Sequence, residues 1–465
     1  MTTRLRVTSI ERYHLYDDTP ENPNVIGCDL TVRGPLHLEN ATAALREAAQ
    51  RHPMVAARLD GRYWQLDPAE ARALEWVVVT KAQAEAQTEA QTEAQAEAQA
   101  EGLGSGSPEN DLRVIDLAHH LATRFILRRG QDVTHLSFRM HHAAADGGGG
   151  LQFVADWLLT YHRLSTGSEL PRSRETNPQL LAKRNHLKLL TREFLGKLWV
   201  QPIAILGASK FLLRKVQAVV PPRVSPQATE VQDFQVISSS LSAQQVEDLR
   251  RQAAEGKATI NELILRGVFL GIHQFRKSQG LYQPREWLRL VVPISIRDFS
   301  DRRLPAVNRA SIVQLDRTDR DFADPQGMTW GLNYELGNIK KWNLEKTFLL
   351  LMRCFALVPG WVKRIASKDV CRATSVVTNL GSPFERLKLE RQDGKLKAGD
   401  LLVENVGLMV PLRKNTPLGF ATLRYAGEQK ICMHYDPQQM TAEQAREVHQ
   451  IVMGQLIEPP ETDNK

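Results

Sequence analysis

The chain is expected to be a mixed α/β (α+β) protein in two halves, and three observations lead there. Its 465 residues are too many for one ordinary core, so two units of roughly 200 residues each are expected. Strand-like and helix-like periodicities alternate along the whole length. A Pro-rich stretch at 219–232, VVPPRVSPQATEVQ, interrupts them near the middle and sets the halves at 1–220 and 221–465.

In the first half, Val25–Val32 is apolar enough for a strand. Leu38, Ala41, Leu45 and Ala48 then recur at helical spacing, and Pro53 lies where that helix would stop. Ala57–Leu66 and Trp76–Thr80 read as strands. The repeat AQAEAQTEAQTEAQAEAQAE follows, with Glu85, Glu89, Glu93, Glu97 and Glu101 four apart. Its residues favour helix, but like charges at that spacing repel. With the linker-like GLGSGSPEN behind it, residues 82–110 read as a low-complexity surface insertion without chemistry. Phe125–Leu127 and Val133–Met140 are strand-like and joined at Gly130. Leu136, Phe138 and Met140 alternate with His135, Ser137 and Arg139. If that strand continues, His142 falls on the apolar side and His141 on the other. A helix should follow, with Leu151, Val154, Leu158 and Tyr161 on one face.

Residues 180–216 read as helical and basic, either packed with a solvated basic face or lying on an anionic membrane. In the second half, Phe234–Ser239 opens as a strand and Ser242 with Gln245 forms a capping-box pattern. Ile260–Phe275 is a strongly apolar helix. Strands are expected at Leu288–Ile294, Ser311–Leu315, Ser375–Thr378 and Val403–Val410. Leu418–Tyr425 and Lys430–Tyr435 form a hairpin turning near Ala426-Gly427, and Thr441 with Gln444 caps a last helix.

The net charge of +7 favours anionic partners. Coenzyme A phosphates, an acidic acyl-carrier protein and an anionic membrane all qualify. Nucleic acid is not expected, because no zinc-finger spacing and no Lys/Arg run interleaved with aromatics occurs. Cys28, Cys354, Cys371 and Cys432 include no CxxC pair and fit free thiols in a reducing compartment. The N-terminus lacks a signal-peptide apolar core, and no run of about 18 apolar residues could span a bilayer. The expectation is a cytoplasmic protein, with peripheral membrane contact as the variant.

Chemistry concentrates in His141-His142-Ala143-Ala144-Ala145-Asp146-Gly147. An imidazole with a pKa of about 6.5 can take a proton from a hydroxyl or amine near neutral pH. Asp146 could fix the turn or pair with an Arg. Gly147–Gly150 leave the next helix entry bare, so a ligand or another backbone can come close. A second pair, His119-His120, has no Asp-Gly after it and shows that paired histidines arise here without chemistry. Zinc ligation is the other chemical reading of two His and an Asp. Neighbouring strand residues face opposite ways and no further ligand clusters nearby, so no metal is expected.

The motif HHxxxDG resembles the signature of the superfamily holding chloramphenicol acetyltransferase-like enzymes, peptide-synthetase condensation domains and wax ester synthase/diacylglycerol acyltransferases. RHPMVAARLDG (51–61) resembles the Arg-His segment after the first helix of that superfamily, and ATINELILRGVFLGI (258–272), VVPISIRDFSDRRLPAVNRA (291–310), VVTNLGSPF (376–384) and the last hairpin loosely resemble segments of the wax ester synthase branch. The resemblance implies two chloramphenicol acetyltransferase-like domains in a V, with an active-site channel between them. It implies His142 as general base, Asp146 as a structural residue paired with an Arg, and Gly147 as the residue keeping the channel open. His141 belongs to the same catalytic motif. Condensation domains usually carry the Asp's partner Arg at the position of Ala56. Arg58, two residues on, and Arg297 are the candidates here. Thr378 and Asn379 stand at a family Ser-Asn and are read as substrate-binding or oxyanion-contacting residues, ordinary turn chemistry being the alternative. Asn308 is similar to a family Asn that follows the strand of Arg297, an ordinary loop Asn being the alternative. No bound cofactor is expected. The co-substrate would be an acyl-CoA or phosphopantetheine thioester, and the acceptor an alcohol or amine. The expected activity is acyl transfer to a hydroxyl of a lipid or alcohol. A free-standing condensation-type enzyme and a catalytically silent binding domain are the alternatives.

Overall fold

Sixteen strands form three sheets among the described residues, which are 2–79, 114–170, 175–187, 196–200, 202, 207, 214–221, 235–368 and 370–457 of a computed structural model. The insertion expected at 82–110 lies outside them, as do residues 222–232 of the expected crossing. In chain order the strands are β1 (Thr3–Arg6), β2 (Val25–Arg33), β3 (Ala57–Asp60), β4 (Tyr63–Leu66), β5 (Val77–Val79), β6 (Thr123–Arg129) and β7 (Val133–His141). Then come β8 (Gln235–Leu241), β9 (Leu288–Ser295), β10 (Ala310–Arg317), β11 (Ser375–Asn379) and β12 (Glu390–Gln392). The last four are β13 (Lys395–Ala398), β14 (Leu401–Met409), β15 (Leu418–Tyr425) and β16 (Glu428–Tyr435).

The seven-stranded sheet runs β12-β13-β14-β2-β7-β6-β5 and the six-stranded sheet β10-β9-β11-β15-β16-β8. A small sheet, β1-β4-β3, completes the set. A cut at residue 220 does not separate these sheets. β14 comes from the second half yet pairs antiparallel with β2, setting Val406 opposite Leu30 and Leu408 opposite Cys28. The buried Leu30 and Val32 of β2 would otherwise lie on an open sheet edge.

Apolar periodicity explains the packing. Ala41, Ala44, Leu45 and Ala48 of helix Leu38–Arg51 share one core with Phe153, Val154, Trp157 and Tyr161 of helix Gly147–Thr166. The alanines let the helices approach closely enough for Trp157 Nε1 to donate to the Ala41 carbonyl at 3.1 Å. A second core holds Leu263, Val268 and Phe275 of helix Ile260–Ser278 against Leu290 of β9 and Phe420 of β15. Val448 and Val452 of helix Ala442–Ile457 close that core.

Ser242 with Gln245, and Thr441 with Gln444, make the reciprocal capping bonds their spacing predicts. The β15–β16 hairpin turns through Ala426 (φ 50°) and Gly427 (φ 86°), the left-handed pair that a two-residue hairpin needs. Ala57–Leu66 is not one strand but a hairpin, broken at Gly61 (φ 58°). The basic segment 180–216 holds 3-10 turns at Pro178–Lys183 and Leu198–Val200 where it is described, and the rest of that expectation lies outside the described residues. Arg184 ends the first turn there, drawn back to Glu11 at 2.6 Å and to the Arg6 carbonyl at 2.7 Å. Among the described residues no helix is long and apolar enough to cross a membrane.

Candidate active site

The alternation of β7 puts Leu136, Phe138 and Met140 on one face, and the strand ends at His141. His142 is the first residue of the turn. Its N–H donates to the Asn24 carbonyl at 2.8 Å, and its carbonyl accepts from Asn308 Nδ2 at 2.9 Å. The same Asn308 nitrogen lies 3.4 Å from His142 Nδ1. The His14 ring, carried by helix Ser9–Asp17, stacks on the His142 ring with centroids 4.2 Å apart and planes 18° off parallel. Asn24 holds His14 in turn, with Nδ2 3.2 Å from its carbonyl and 3.3 Å from its Nδ1. Burial pushes the His142 imidazole below its ordinary pKa, against hydrogen bonding to nearby backbone and the Asp146 charge. Burial pushes His14 well below its own, helped by His142, His141 and Arg413. Both rings are therefore neutral bases near neutral pH.

Asp146 is the N-cap of helix Gly147–Thr166, and its Oδ1 accepts from Gly149 N at 2.7 Å. Its Oδ2 accepts from Arg297 Nη1 at 2.8 Å and from Arg309 N at 2.6 Å. Burial alone would raise this carboxyl, but the Arg297 charge and the three hydrogen bonds outweigh it and hold the pKa low. Arg297 also donates to the Val307 carbonyl at 2.6 Å. The ion pair thus ties the motif to the loop between β9 and β10. Arg58 is not part of this arrangement, which corrects the expectation for it. Residues Pro53–Ala56 form a 3-10 turn, so strand alternation does not run from Ala56 to Arg58. Arg58 instead pairs with Glu70 at 2.6 and 3.2 Å and donates to the His119 carbonyl.

His141 is fully buried. Its Nδ1 accepts from Ala143 N at 3.1 Å, and its Nε2 lies 3.4 Å from Asp18 Oδ2. It braces the turn. The other pair, His119-His120, is exposed, with His119 on Asp116 at 2.7 Å. Of the glycine run, Gly149 is the tight position. A Cβ there would lie 2.8 Å from the Val307 carbonyl oxygen and 2.9 Å from its nitrogen. At Gly147 a Cβ would meet only the Leu380 side chain, at 3.2 Å.

His14, His142 and Gly147 border a cavity of about 230 Å³ that runs between the two large sheets. Ile26, Phe138, Met140, Val154 and Leu408 line it from the seven-stranded side, and Val291, Pro293, Val376 and Thr378 from the six-stranded side. Thr378 and Asn379 end β11 at this wall. The Asn379 side chain accepts from Gly381 N at 2.9 Å and donates to Asn261 Oδ1 at 3.2 Å, so it is engaged in turn chemistry. Among the described residues no group of three His, Cys, Asp or Glu could hold a metal ion.

Helix Ser9–Asp17 is not among the expected elements, though Thr8 and Glu11 form a capping box that announces it. That His14 lands on His142 has no local signal, because the contact joins segments far apart in the chain. Arg413, which lines the cavity and donates to Tyr13 Oη at 2.6 Å, is hidden for the same reason.

No protein-family model matches the chain, and no curated protein does. Solved structures do. A mutant of the starter condensation domain of rhizomide synthetase, in complex with C8-CoA, is 14% identical, covers 98% of this chain and 94% of its own, and has a TM-score of 0.62. The first condensation domain of the calcium-dependent antibiotic synthetase, in complex with a substrate analogue, is 13% identical over 98% and 96%, with a TM-score of 0.66. The cyclization-docking bidomain of a Sorangium cellulosum peptide synthetase is 13% identical over 99% and 85%, with a TM-score of 0.65. The chain has the two-lobed, chloramphenicol acetyltransferase-like fold of the condensation domains.

Proposed function

We propose that the protein is an acyltransferase, moving an acyl group from a thioester to a hydroxyl of a lipid or alcohol. The observation carrying this is the imidazole of His142 on the wall of a largely apolar cavity between two sheets. His142 Nδ1 lies beside Asn308, leaving Nε2 as the nitrogen for the acceptor. It takes the O–H proton as the acceptor oxygen attacks the thioester carbonyl. The tetrahedral intermediate then collapses, the C–S bond breaks, and the thiolate leaves and recovers the proton as free thiol. The Thr378 hydroxyl is the proposed donor to the oxyanion, since Asn379 is otherwise engaged. Asp146 holds the turn through Arg297 and does not touch the reacting atoms. Apolar walls at Ile26, Phe138, Met140 and Val154 suit an acyl chain. A domain of the same fold binding C8-CoA supports a coenzyme A thioester as donor.

The second reading is a condensation-type enzyme fed by a carrier-protein thioester, favoured by the kind of domain that shares this fold. The alternative of a silent binding domain is disfavoured by a cavity that reaches His142. Thiol release from a panel of acyl-CoA donors, with pooled alcohols, diacylglycerol and amines as acceptors, tests the proposal. Acceptor-dependent release is expected, falling about 10²–10⁴-fold in His142→Ala. Release only from an acyl-carrier protein would favour the second reading. None from either donor would leave a binding domain.

A further inference from the structure

Away from the cavity mouth's own residues, one surface carries an unusual combination. Helices Thr347–Leu357 and Trp361–Ala366 meet at a turn whose residues Leu357, Val358, Pro359, Gly360 and Trp361 are all exposed. Leu357 is 83% exposed and Trp361 47%, and the Trp361 ring leans on Phe355 at 5.8 Å. Burying such apolar side chains would be favourable, and nothing in the chain among the described residues buries them. Lys363, Arg364 and Lys368 follow, all exposed, and none is ion-paired to a described carboxylate. Between residues 340 and 370 the sequence has seven Lys or Arg against two acidic residues.

We propose that this turn docks the protein on an anionic lipid bilayer. An aliphatic and an aromatic side chain at the apex enter the headgroup–acyl boundary, while the cations behind them meet anionic headgroups. The charge pattern selects this occupant over a neutral apolar partner. The surface is also coupled to the cavity. Val362 and Ala366 pack with Met352 on Tyr13, the neighbour of His14. Arg413 donates to the Ala366 carbonyl at 3.4 Å and to Tyr13 Oη, and both Arg413 and Tyr13 border the cavity. A docked turn would set the helix of His14 close to the bilayer, which, on the acyltransferase reading above, is the source of a lipid acceptor.

Cosedimentation of the full chain with phosphatidylcholine vesicles, with and without phosphatidylglycerol, tests this. Binding is expected only with phosphatidylglycerol, weakening with salt. Each cation is worth about fivefold at such a surface, so Lys363→Glu/Arg364→Glu should weaken binding by more than about tenfold. Leu357→Asp/Trp361→Asp should abolish it. Lys363→Glu/Arg364→Glu should unfold at the wild-type temperature, because both side chains are exposed, and Leu357→Asp alone, at a position 83% exposed, should weaken binding without the loss of the Trp361 contact with Phe355. No wild-type binding to anionic vesicles, or equal binding by the variants, would overturn the proposal. So would a wild-type dimer that the Leu357→Asp/Trp361→Asp variant makes monomeric.

Discussion

The two large sheets face the same cavity and supply different things. The seven-stranded sheet brings the proposed base: β7 leads into His142, and Phe138 and Met140 line the space beside it. The six-stranded sheet brings the restraints: Arg297 reaches Asp146 from behind β9, while Asn308 holds the His142 carbonyl and the Arg309 N–H holds Asp146. On the proposed function, the first side carries the base and the second most of the groups that fix it, together with the Thr378 hydroxyl. A base is useful only where it is fixed, and here the fixing groups lie more than a hundred residues from the motif they fix.

Removing a restraint tests that division most severely. Arg297→Ala leaves the Asp146 charge buried with backbone donors only, and should cost about 3 kcal/mol of stability with a large loss of activity. Adding Asp146→Asn removes the stranded charge and should recover part of the stability but not the activity. Chemical denaturation of the three proteins checks this, and an Arg297→Ala protein of wild-type stability would break the comparison. A smaller effect separates the two ends of the glycine run. At Gly149 the added methyl meets Val307 backbone, which cannot swing aside, and Gly149→Ala should cost about 1–3 kcal/mol. At Gly147 it meets a movable Leu380 side chain, so Gly147→Ala should unfold at close to the wild-type midpoint. Equal midpoints would show that the helix start is not pressed against the second sheet's loop. The smallest effect belongs to Arg58. Its partnership with Glu70 is half exposed, so Arg58→Ala should cost less than about 1 kcal/mol and leave turnover unchanged.

What was legible in the sequence follows the same division. The strand of Leu136, Phe138 and Met140, the helix after the glycines and the motif itself rest on local periodicity and spacing, and could be read directly. Arg58 does not take the place expected near Ala56, because the 3-10 turn at Pro53–Ala56 breaks the strand alternation between the two positions. Arg297 was one of two candidates that local reasoning could not rank, since only the fold decides which arginine comes near Asp146. The return of β12–β14 to the first sheet, and the stacking of His14 on His142, are likewise products of chain path alone.

On the proposed function, His142 acts as a base whose proton affinity is lowered by burial. A base works only when unprotonated, so activity should fall with acid as pH drops through its folded pKa, which lies below the ordinary imidazole value of about 6.5. Asp146 cannot produce that fall: its low pKa keeps its stabilising contribution in place until pH drops below the ordinary carboxylate value of about 3.9. The direct measurement is the pH profile of kcat/KM for thiol release, wild type beside His142→Ala, at pH values where both remain folded. An acid limb with an apparent pKa below about 6.5 in the wild type, absent from the residual activity of the variant, is the predicted result. The same limb in both proteins, or none in the wild type, would contradict the account.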